Sequence, residues 1–536
     1  MGRLLQQDQK TWHAFNLLVL LSGLTLSCNL LSSRFESLWG LIFVPWVVLL
    51  RYLRWEGLRK TQILSVIVIG AVVGLTRAVG LTGGGAWSVN YEQLPNGPSS
   101  LLPAAAAFYL IEAGVGALMG GLFWYVRRLT GQTALPWLLI RALWEFFPIR
   151  FLHFRSFWVL ALSEDLAPSV YMLGDLGVFI LTELTILACG YIGRSSPVRK
   201  RSAAGIALAS VVLYLAATTG LTRLQNAPAK SLVVSVVQLH SSGSADRSGV
   251  PGGLAMGGGG PPGSNSITLE SGAWLAATRL REESISQDSV NFVLWPESAA
   301  QLNNPSDMMA GNRLGGSIFR GDHHFVGLEL STEVPPYSAL VHLNRDGIIK
   351  DVYYKQSEMA FIEVPREKIA SPMDFLRNIF GLSGFFARDF KVFSIEDANV
   401  VPLICFDVFR FNLASELREL LDSTLPRVPT VLALAANHSA LRTSIGSLAQ
   451  RAAAHWVSLR LGVPLIASVQ NGASYIFEPA RGEHSASAPK STEFIWRVAV
   501  RATLGEANHQ VPLAPSRESR ECAGDAFSPG SSYKLP

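Results

Sequence analysis

The chain has 536 residues, of which 49% are hydrophobic and 16% charged, with a mean hydropathy of +0.28. That length exceeds one ordinary domain, and that balance excludes a disordered chain, a fibrous repeat and a purely soluble enzyme. The net charge of +5 conceals an asymmetry: residues 1–230 carry 19 Lys/Arg against 10 Asp/Glu, and residues 231–536 carry 26 against 30. Because the basic excess sits between apolar runs of the first half, it is no sign of nucleic-acid binding. The four cysteines, Cys28, Cys189, Cys405 and Cys522, are too few for a disulfide framework.

Seven apolar stretches follow one another near 15–32, 36–53, 62–81, 101–126, 134–148, 169–192 and 203–221. Most approach the roughly 20 residues that a bilayer-spanning helix requires, and polar faces at helical spacing are largely missing. The stretch at 134–148 is short and runs on into an aromatic segment. Arg51, Arg54, Arg59 and Lys60 lie between the second and third stretches, Arg127 and Arg128 between the fourth and fifth, and Arg194, Arg199, Lys200 and Arg201 between the sixth and seventh. The 82–100 loop has no Lys or Arg, so the positive-inside rule places the N-terminus in the cytoplasm and everything after residue 230 on the far side. Cleavage before Cys28 competes with this, but Thr25 stands where a lipoprotein signal has an aliphatic residue, and another apolar stretch follows within about ten residues. Arg77, Glu112, Arg141, Glu145, Asp175 and Glu183 fall within or at the ends of spans. There they either tie helices together or line a polar cavity.

From residue 231 the texture changes. LVVSVVQ (232–238) and NFVLW (291–295) read as strands, with further strands expected at 324–331, 337–343, 347–354, 398–404, 429–435, 463–469, 473–477 and 495–501. Helical patterns fill 270–285, 410–421 and 442–460. Strands alternating with helices predict an α/β domain with a layered sheet core. The 241–266 segment is rich in Gly, Ser and Pro and reads as a flexible loop. The polar tail after Gly505 reads the same way. The expected organisation is a membrane domain over 1–230, a catalytic domain over 231–505 and a tail over 506–536.

Three strand ends carry reactive side chains. Glu297 lies in WPES, just after NFVLW, where an apolar strand beneath a carboxylate can desolvate it for general-base work. Lys355 ends DVYYK and can present a fixed positive charge to a developing oxyanion. Cys405 closes the apolar run of VVPLICFD and precedes a helix, a setting that favours a reactive thiolate. Each alone is an ordinary strand-end residue. His323 and His324 do not predict a metal site, because adjacent strand residues point to opposite faces.

Together, Glu297, Lys355 and Cys405 in that order on an α/β sheet resemble the Glu-Lys-Cys triad of the nitrilase superfamily. With seven apolar stretches in front, the chain resembles the apolipoprotein N-acyltransferase family over roughly residues 10–500. Trp87-Ser88-Val89, Leu143-Trp144-Glu145 and VQNGASYIFEPARG (469–482) add softer matches. The resemblance implies a multi-span α-helical membrane domain followed by an αββα sandwich. It also implies Cys405 as nucleophile, Glu297 as general base and acid, and Lys355 as oxyanion stabiliser. Glu363, in FIEVP, matches the family's second carboxylate. Asp407 stands where the family has Glu, and Phe406 where it has Tyr; the shorter Asp407 can still orient Lys355 or a backbone amide.

Two departures stand out. AANHSALRTSIGS (435–447) replaces the family's Asn-Asp-Ala-Trp-Phe-like loop at the acceptor site, with His438 after Asn437. The family's last transmembrane span has no counterpart here. The resemblance implies transfer of an acyl chain from a phospholipid, through a Cys405 thioester, to the amine of a diacylated apolipoprotein. It implies no cofactor, no metal and no nucleic acid, and a monomer in the bacterial inner membrane with its catalytic domain in the periplasm. A membrane-anchored amidase or a conjugal-transfer paralogue with another acceptor is the alternative, and a non-catalytic scaffold is a third reading.

Overall fold

The computed structural model describes residues 43–55, 63–82, 102–146, 154–191, 196–239, 267–269, 291–302, 311, 322–330, 337–356, 390–396, 398–410, 412–424, 428–438, 445–485 and 493–504. The first apolar stretch, the 241–266 segment, the 270–285 helix, Trp87-Ser88-Val89, Glu363, Cys522 and the tail over 506–536 lie outside them.

The N-terminal half is helical: α1 (Val44–Trp55), α2 (Ile63–Thr82), α3 (Leu102–Thr130), α4 (Ala134–Phe146), a 3-10 segment (Ser156–Leu162), α5 (Ala167–Tyr191) and α6 (Ser196–Asn226). Among the described residues, three stretches, Tyr109–Thr130, Ala167–Tyr191 and Lys200–Asn226, are long and apolar enough to cross a membrane. Their outward side chains are large and apolar, including Leu110, Leu118, Leu176, Leu208 and Leu215, as a lipid-facing surface requires. At 13 residues α4 is shorter than a span, and the described residues Ser156–Leu162 of the aromatic segment form the 3-10 turn. Helices α2 and α3 meet backbone to backbone through Gly70, Gly74, Gly116 and Gly120; a Cβ on Gly70 would lie 2.1 Å from the Gly116 carbonyl oxygen.

Three of the charges inside this half bind one another. The Arg141 guanidinium lies 2.9 Å from Glu145 and 2.8 Å from Glu183, the Trp137 indole donates to Glu183 at 2.9 Å, and Trp46 stacks against Arg141 at 3.9 Å. All three ionic groups are buried. Of the two roles expected for intramembrane charges, these three tie helices together.

The C-terminal half is built on strands β1 (Ala229–Leu239), β2 (Ile267–Leu269), β3 (Phe292–Leu294), β4 (Ala300–Leu302), β5 (His324–Leu330), β6 (Tyr337–Leu343), β7 (Ile349–Tyr354), β8 (Phe393–Ile395), β9 (Ala398–Ile404), β10 (Pro429–Asn437), β11 (Leu465–Gln470), β12 (Tyr475–Glu478), β13 (Gly482–Ser485) and β14 (Glu493–Leu504). Between them run a 3-10 turn (Cys405–Phe409) and helices α7 (Leu413–Thr424) and α8 (Ile445–Leu461). One layer contains parallel β1, β3 and β5, extended by the antiparallel meander β5–β6–β7. The other contains parallel β9, β10 and β11. Strand β14 runs antiparallel to β1 along its whole length and joins β10 at its last residues, so the two layers are hydrogen-bonded into one sheet folded on itself.

Alternation decides which residues the layers share. Leu232, Val234, Val236, Phe292, Leu294, Phe325, Leu340 and Tyr353 face the β9–β11 layer and join its core with Leu403, Leu434 and Ala467. Val237, Val293, Trp295, Val326 and Val341 fill a second core on the opposite face. The small-residue stripe of α8, Ala449, Ala452 and Ala453, packs into the first core.

Helix α8 also binds the helical half. Trp456 packs edge-on against Phe157 at 5.2 Å and donates its indole N–H to Asp175 at 2.9 Å. Arg460 reaches the same carboxylate at 3.4 Å, as does Arg155. Gly174 permits this approach: its φ of 64° breaks α5, and a Cβ there would stand 2.9 Å from the Arg460 guanidinium. Asp175 is therefore an anchor for the sandwich, a use that span-by-span reading of the sequence does not reveal.

Candidate active site

Strands β1, β3, β7, β9, β10 and β11 bring their carboxyl ends to one edge of the sandwich. The Asn471 N–H donates to the Leu239 carbonyl at 2.9 Å and the His438 N–H to the Gln470 carbonyl at 2.8 Å, closing the ends of β1, β10 and β11 on one another. In open α/β sheets this is the edge where chemistry is placed. It holds three non-glycine residues with positive φ: Ser298 at 60°, Cys405 at 43° and Asn471 at 61°. Such conformations cost on the order of 1–3 kcal/mol each and cluster where side chains must be aimed.

Glu297 follows β3 and is 5% exposed. Lys355 follows β7, and its Nζ lies 2.9 Å from Glu297 Oε1, both side chains buried. Two of the three residues singled out in the sequence, 58 positions apart, therefore form a buried ion pair. Gly327 on β5 makes room for the Glu297 turn, because a Cβ there would lie 2.1 Å from the Pro296 carbonyl oxygen and 2.8 Å from Glu297 Cα.

Cys405 starts the 3-10 turn after β9, is buried and lies outside any disulfide. The Gln450 side-chain amide of α8 donates to its Sγ at 3.3 Å. Asp407, fully buried, accepts from the Tyr353 hydroxyl at 2.8 Å, the Gln356 N–H at 2.9 Å and the Ile404 N–H at 2.9 Å. It thereby holds the residues flanking Lys355 to the residue preceding Cys405. Two of these three donors are backbone amides and the third is a tyrosine hydroxyl. Burial first, and then the Asp407 charge, push the Tyr353 pKa well above its ordinary value, so the phenol remains a donor.

Three residues at this edge escaped sequence reading as site residues: Gln450, Tyr353 and Asn471. A glutamine among the alanines of 442–460 was the available signal for the first. Asn471 was noted only as part of a motif; its side chain donates to Asn437 Oδ1 at 3.3 Å.

Trp295, two residues before Glu297, leads to a group of three histidines, of which His324 and His342 are buried. The Trp295 indole donates to His324 Nδ1 at 3.1 Å, and on the other face His323 Nδ1 meets His342 Nε2 at 3.1 Å. Burial, reinforced by His323, pushes His324 down to about 3 and His342 down to about 4. Both are neutral in the folded chain at pH 5–7, whereas their unfolded counterparts take up protons below about pH 6.5. Their contribution to stability is thus fully present above that pH and is lost as the pH falls toward 4, at up to about 1.4 kcal/mol per pH unit for each. The thermal midpoint in detergent should drop between pH 7 and pH 5. His324→Gln, which keeps an acceptor for Trp295, should flatten that dependence; an unchanged slope would refute the assignment.

No protein-family model matches the chain, and no curated protein matches it. Solved structures do. Nit3 of Saccharomyces cerevisiae, a member of branch 10 of the nitrilase superfamily, aligns over 51% of this chain and 90% of its own, with 13% identity and a TM-score of 0.33. An amidase from Nesterenkonia sp. aligns over 50% and 90%, with 15% identity and a TM-score of 0.30. XC1258 from Xanthomonas campestris, a CN-hydrolase superfamily protein, aligns over 50% and 91%, with 14% identity and a TM-score of 0.29. What the coordinates define is a class: long apolar helices joined to an α/β sandwich with a buried Glu-Lys pair and a buried cysteine at one sheet edge.

Proposed function

We propose that this protein is a membrane-bound acyltransferase that carries a fatty acyl group from a phospholipid, as a Cys405 thioester, to the N-terminal amine of a diacylglyceryl-cysteine lipoprotein. The observation that carries the proposal is the buried Glu297–Lys355 pair on the same sheet edge as the buried Cys405 thiol, in a chain with three membrane-length apolar helices among its described residues. Glu297 accepts the thiol proton, and the Cys405 sulfur attacks the ester carbonyl. Lys355 neutralises the tetrahedral oxyanion. As the C–O bond breaks, Glu297 returns the proton to the departing lysophospholipid oxygen. In the second step the amine attacks the thioester, Glu297 takes its proton, and the Cys405 thiol is restored.

The helical half has a physical task in this scheme. Both substrates carry acyl chains, and drawing one from the bilayer costs about 0.8 kcal/mol per CH₂. Chemistry at the membrane surface avoids that cost.

A second acceptor remains in view for one reason. His438 replaces the acidic residue of the resembling family's acceptor loop, and it is buried against Gln450. An amidase or conjugal-transfer relative would use the same thioester on another nucleophile.

The test is intact-mass analysis of the protein in detergent with phosphatidylethanolamine. Wild type should gain one hydroxylamine-labile acyl group and Cys405→Ala none. Absence of the adduct under conditions that acylate a known apolipoprotein N-acyltransferase refutes the phospholipid donor. A diacylated lipopeptide that discharges the adduct, becoming triacylated, identifies the acceptor; discharge only by water or another amine favours the second acceptor.

A further inference from the structure

We propose that Gln450 and His438 form a relay behind the nucleophile, in which His438 locks the Gln450 amide so that its N–H bond stabilises the Cys405 thiolate. This rests on reading Cys405 as the nucleophile. Gln450 touches the reacting sulfur and is a catalytic residue by that contact; His438 acts through it and is a positioning residue.

The geometry comes from three separate elements. Cys405 follows β9, His438 follows β10, and Gln450 projects from α8 between them. Gln450 Nε2 lies 3.3 Å from Cys405 Sγ, and its Oε1 is hydrogen-bonded to His438 Nε2. Gln450 is 1% exposed and His438 7%, so water does not compete for either bond.

A primary amide has two faces of nearly equal shape. With the NH₂ toward sulfur it stabilises a thiolate; turned over, it would set carbonyl lone pairs against the negative charge. What selects the face is the partner of Oε1. Burial pushes the His438 pKa down, against the opposing influence of Gln450 and Glu297 and with Arg451 acting in the same direction as burial. The ring is therefore neutral at pH 7 and has one N–H to give. The recorded arrangement requires that N–H on Nε2, donating to Gln450 Oε1. The ring itself cannot swing away easily: the His438 backbone N–H is held by Gln470, and Gly472 lies so close that a Cβ there would stand 2.6 Å from Nδ1.

The histidine that marks this chain's departure in the 435–447 segment thus serves the nucleophile. It is turned into the sandwich, toward α8.

The experiment uses the full-length protein in detergent and follows carbamidomethylation of Cys405 by iodoacetamide, read by peptide mapping at pH 7 and at pH 10. At pH 10 the thiolate forms without help, so that rate reports access, while the rate at pH 7 reports access and thiolate fraction together. Gln450→Leu should slow the pH 7 reaction about tenfold or more, as expected for a lost hydrogen bond to a charged group, and the pH 10 reaction by less than about twofold. His438→Ala should slow the pH 7 reaction at least about threefold. His438→Gln, which retains an N–H donor, should restore it to within about twofold.

Variants with wild-type thermal midpoints that keep the wild-type rate at pH 7, or lose rate equally at both pH values, overturn the relay. Should wild-type Cys405 show the same pH 7 to pH 10 ratio as the unfolded chain, the nucleophile assignment falls and the relay with it. The phospholipid donor is tested separately by the acyl adduct, so a normal relay with no adduct would refute only the acyl-transfer proposal.

Discussion

Lys355→Met is expected to reduce acylation of Cys405 by about 10³-fold and to destabilise the fold at the same time. Two effects coincide. Loss of one oxyanion donor costs about 10²–10³ in rate, and Lys355 is paired with Glu297 at 2.9 Å, both side chains buried. Without it, Glu297 is a buried carboxylate lacking its partner; breaking such a pair costs about 3–5 kcal/mol unless the acid protonates. A protonated Glu297 cannot take the thiol proton, so the stability loss is relieved only by forfeiting the proposed general base. The double variant Glu297→Gln, Lys355→Met should therefore recover much of the thermal midpoint and none of the activity. Lys355→Arg should not rescue, because a planar guanidinium does not occupy the site of a compact ammonium. Single-turnover acylation and thermal unfolding in detergent are the measurements. Retention of more than a tenth of wild-type acylation by Lys355→Met would remove Lys355 from the mechanism.

Asp407→Ala should have the second largest effect, mainly on structure. The carboxylate accepts from the Tyr353 hydroxyl, the Gln356 N–H and the Ile404 N–H, in a place with no solvent exposure. Removing it leaves three buried donors without their carboxylate partner, each costing about 1–3 kcal/mol. A net loss of about 3–5 kcal/mol is expected, at the upper end for single substitutions. Activity should fall at least about 100-fold in whatever protein folds, since the Lys355 turn and the Cys405 turn are tied through this one group and a shift of about 1 Å costs that much. Tyr353→Phe removes one donor and leaves the acceptor two others, so about 1 kcal/mol is expected. If Asp407→Ala unfolds no more readily than Tyr353→Phe, the carboxylate is not the tie described here.

The strand ends that carry Glu297, Lys355 and Cys405 were legible because each follows a short run rich in β-branched, aromatic or other apolar residues, and such runs state their own boundaries. Expected strands at 337–343 and 398–404 coincide with β6 and β9. The unforeseen β2, β4, β8 and β13 have only three or four residues, too few for alternation to register. Glu363 and the 241–266 segment lie outside the described residues.

Sequence alone determined the division into an apolar helical half and an α/β half, and which strand ends bear reactive groups, because hydrophobic periodicity and side-chain chemistry are local properties. Tertiary structure alone decided that Glu297 pairs with Lys355 and that Asp407 serves backbone amides. It also set Gln450 and His438 behind Cys405 and made Asp175 an anchor for α8. Most of these contacts join residues dozens to hundreds of positions apart. Hydrogen bonds and ion pairs act over about 3 Å, and only the folded sheet brings such distant positions within that range.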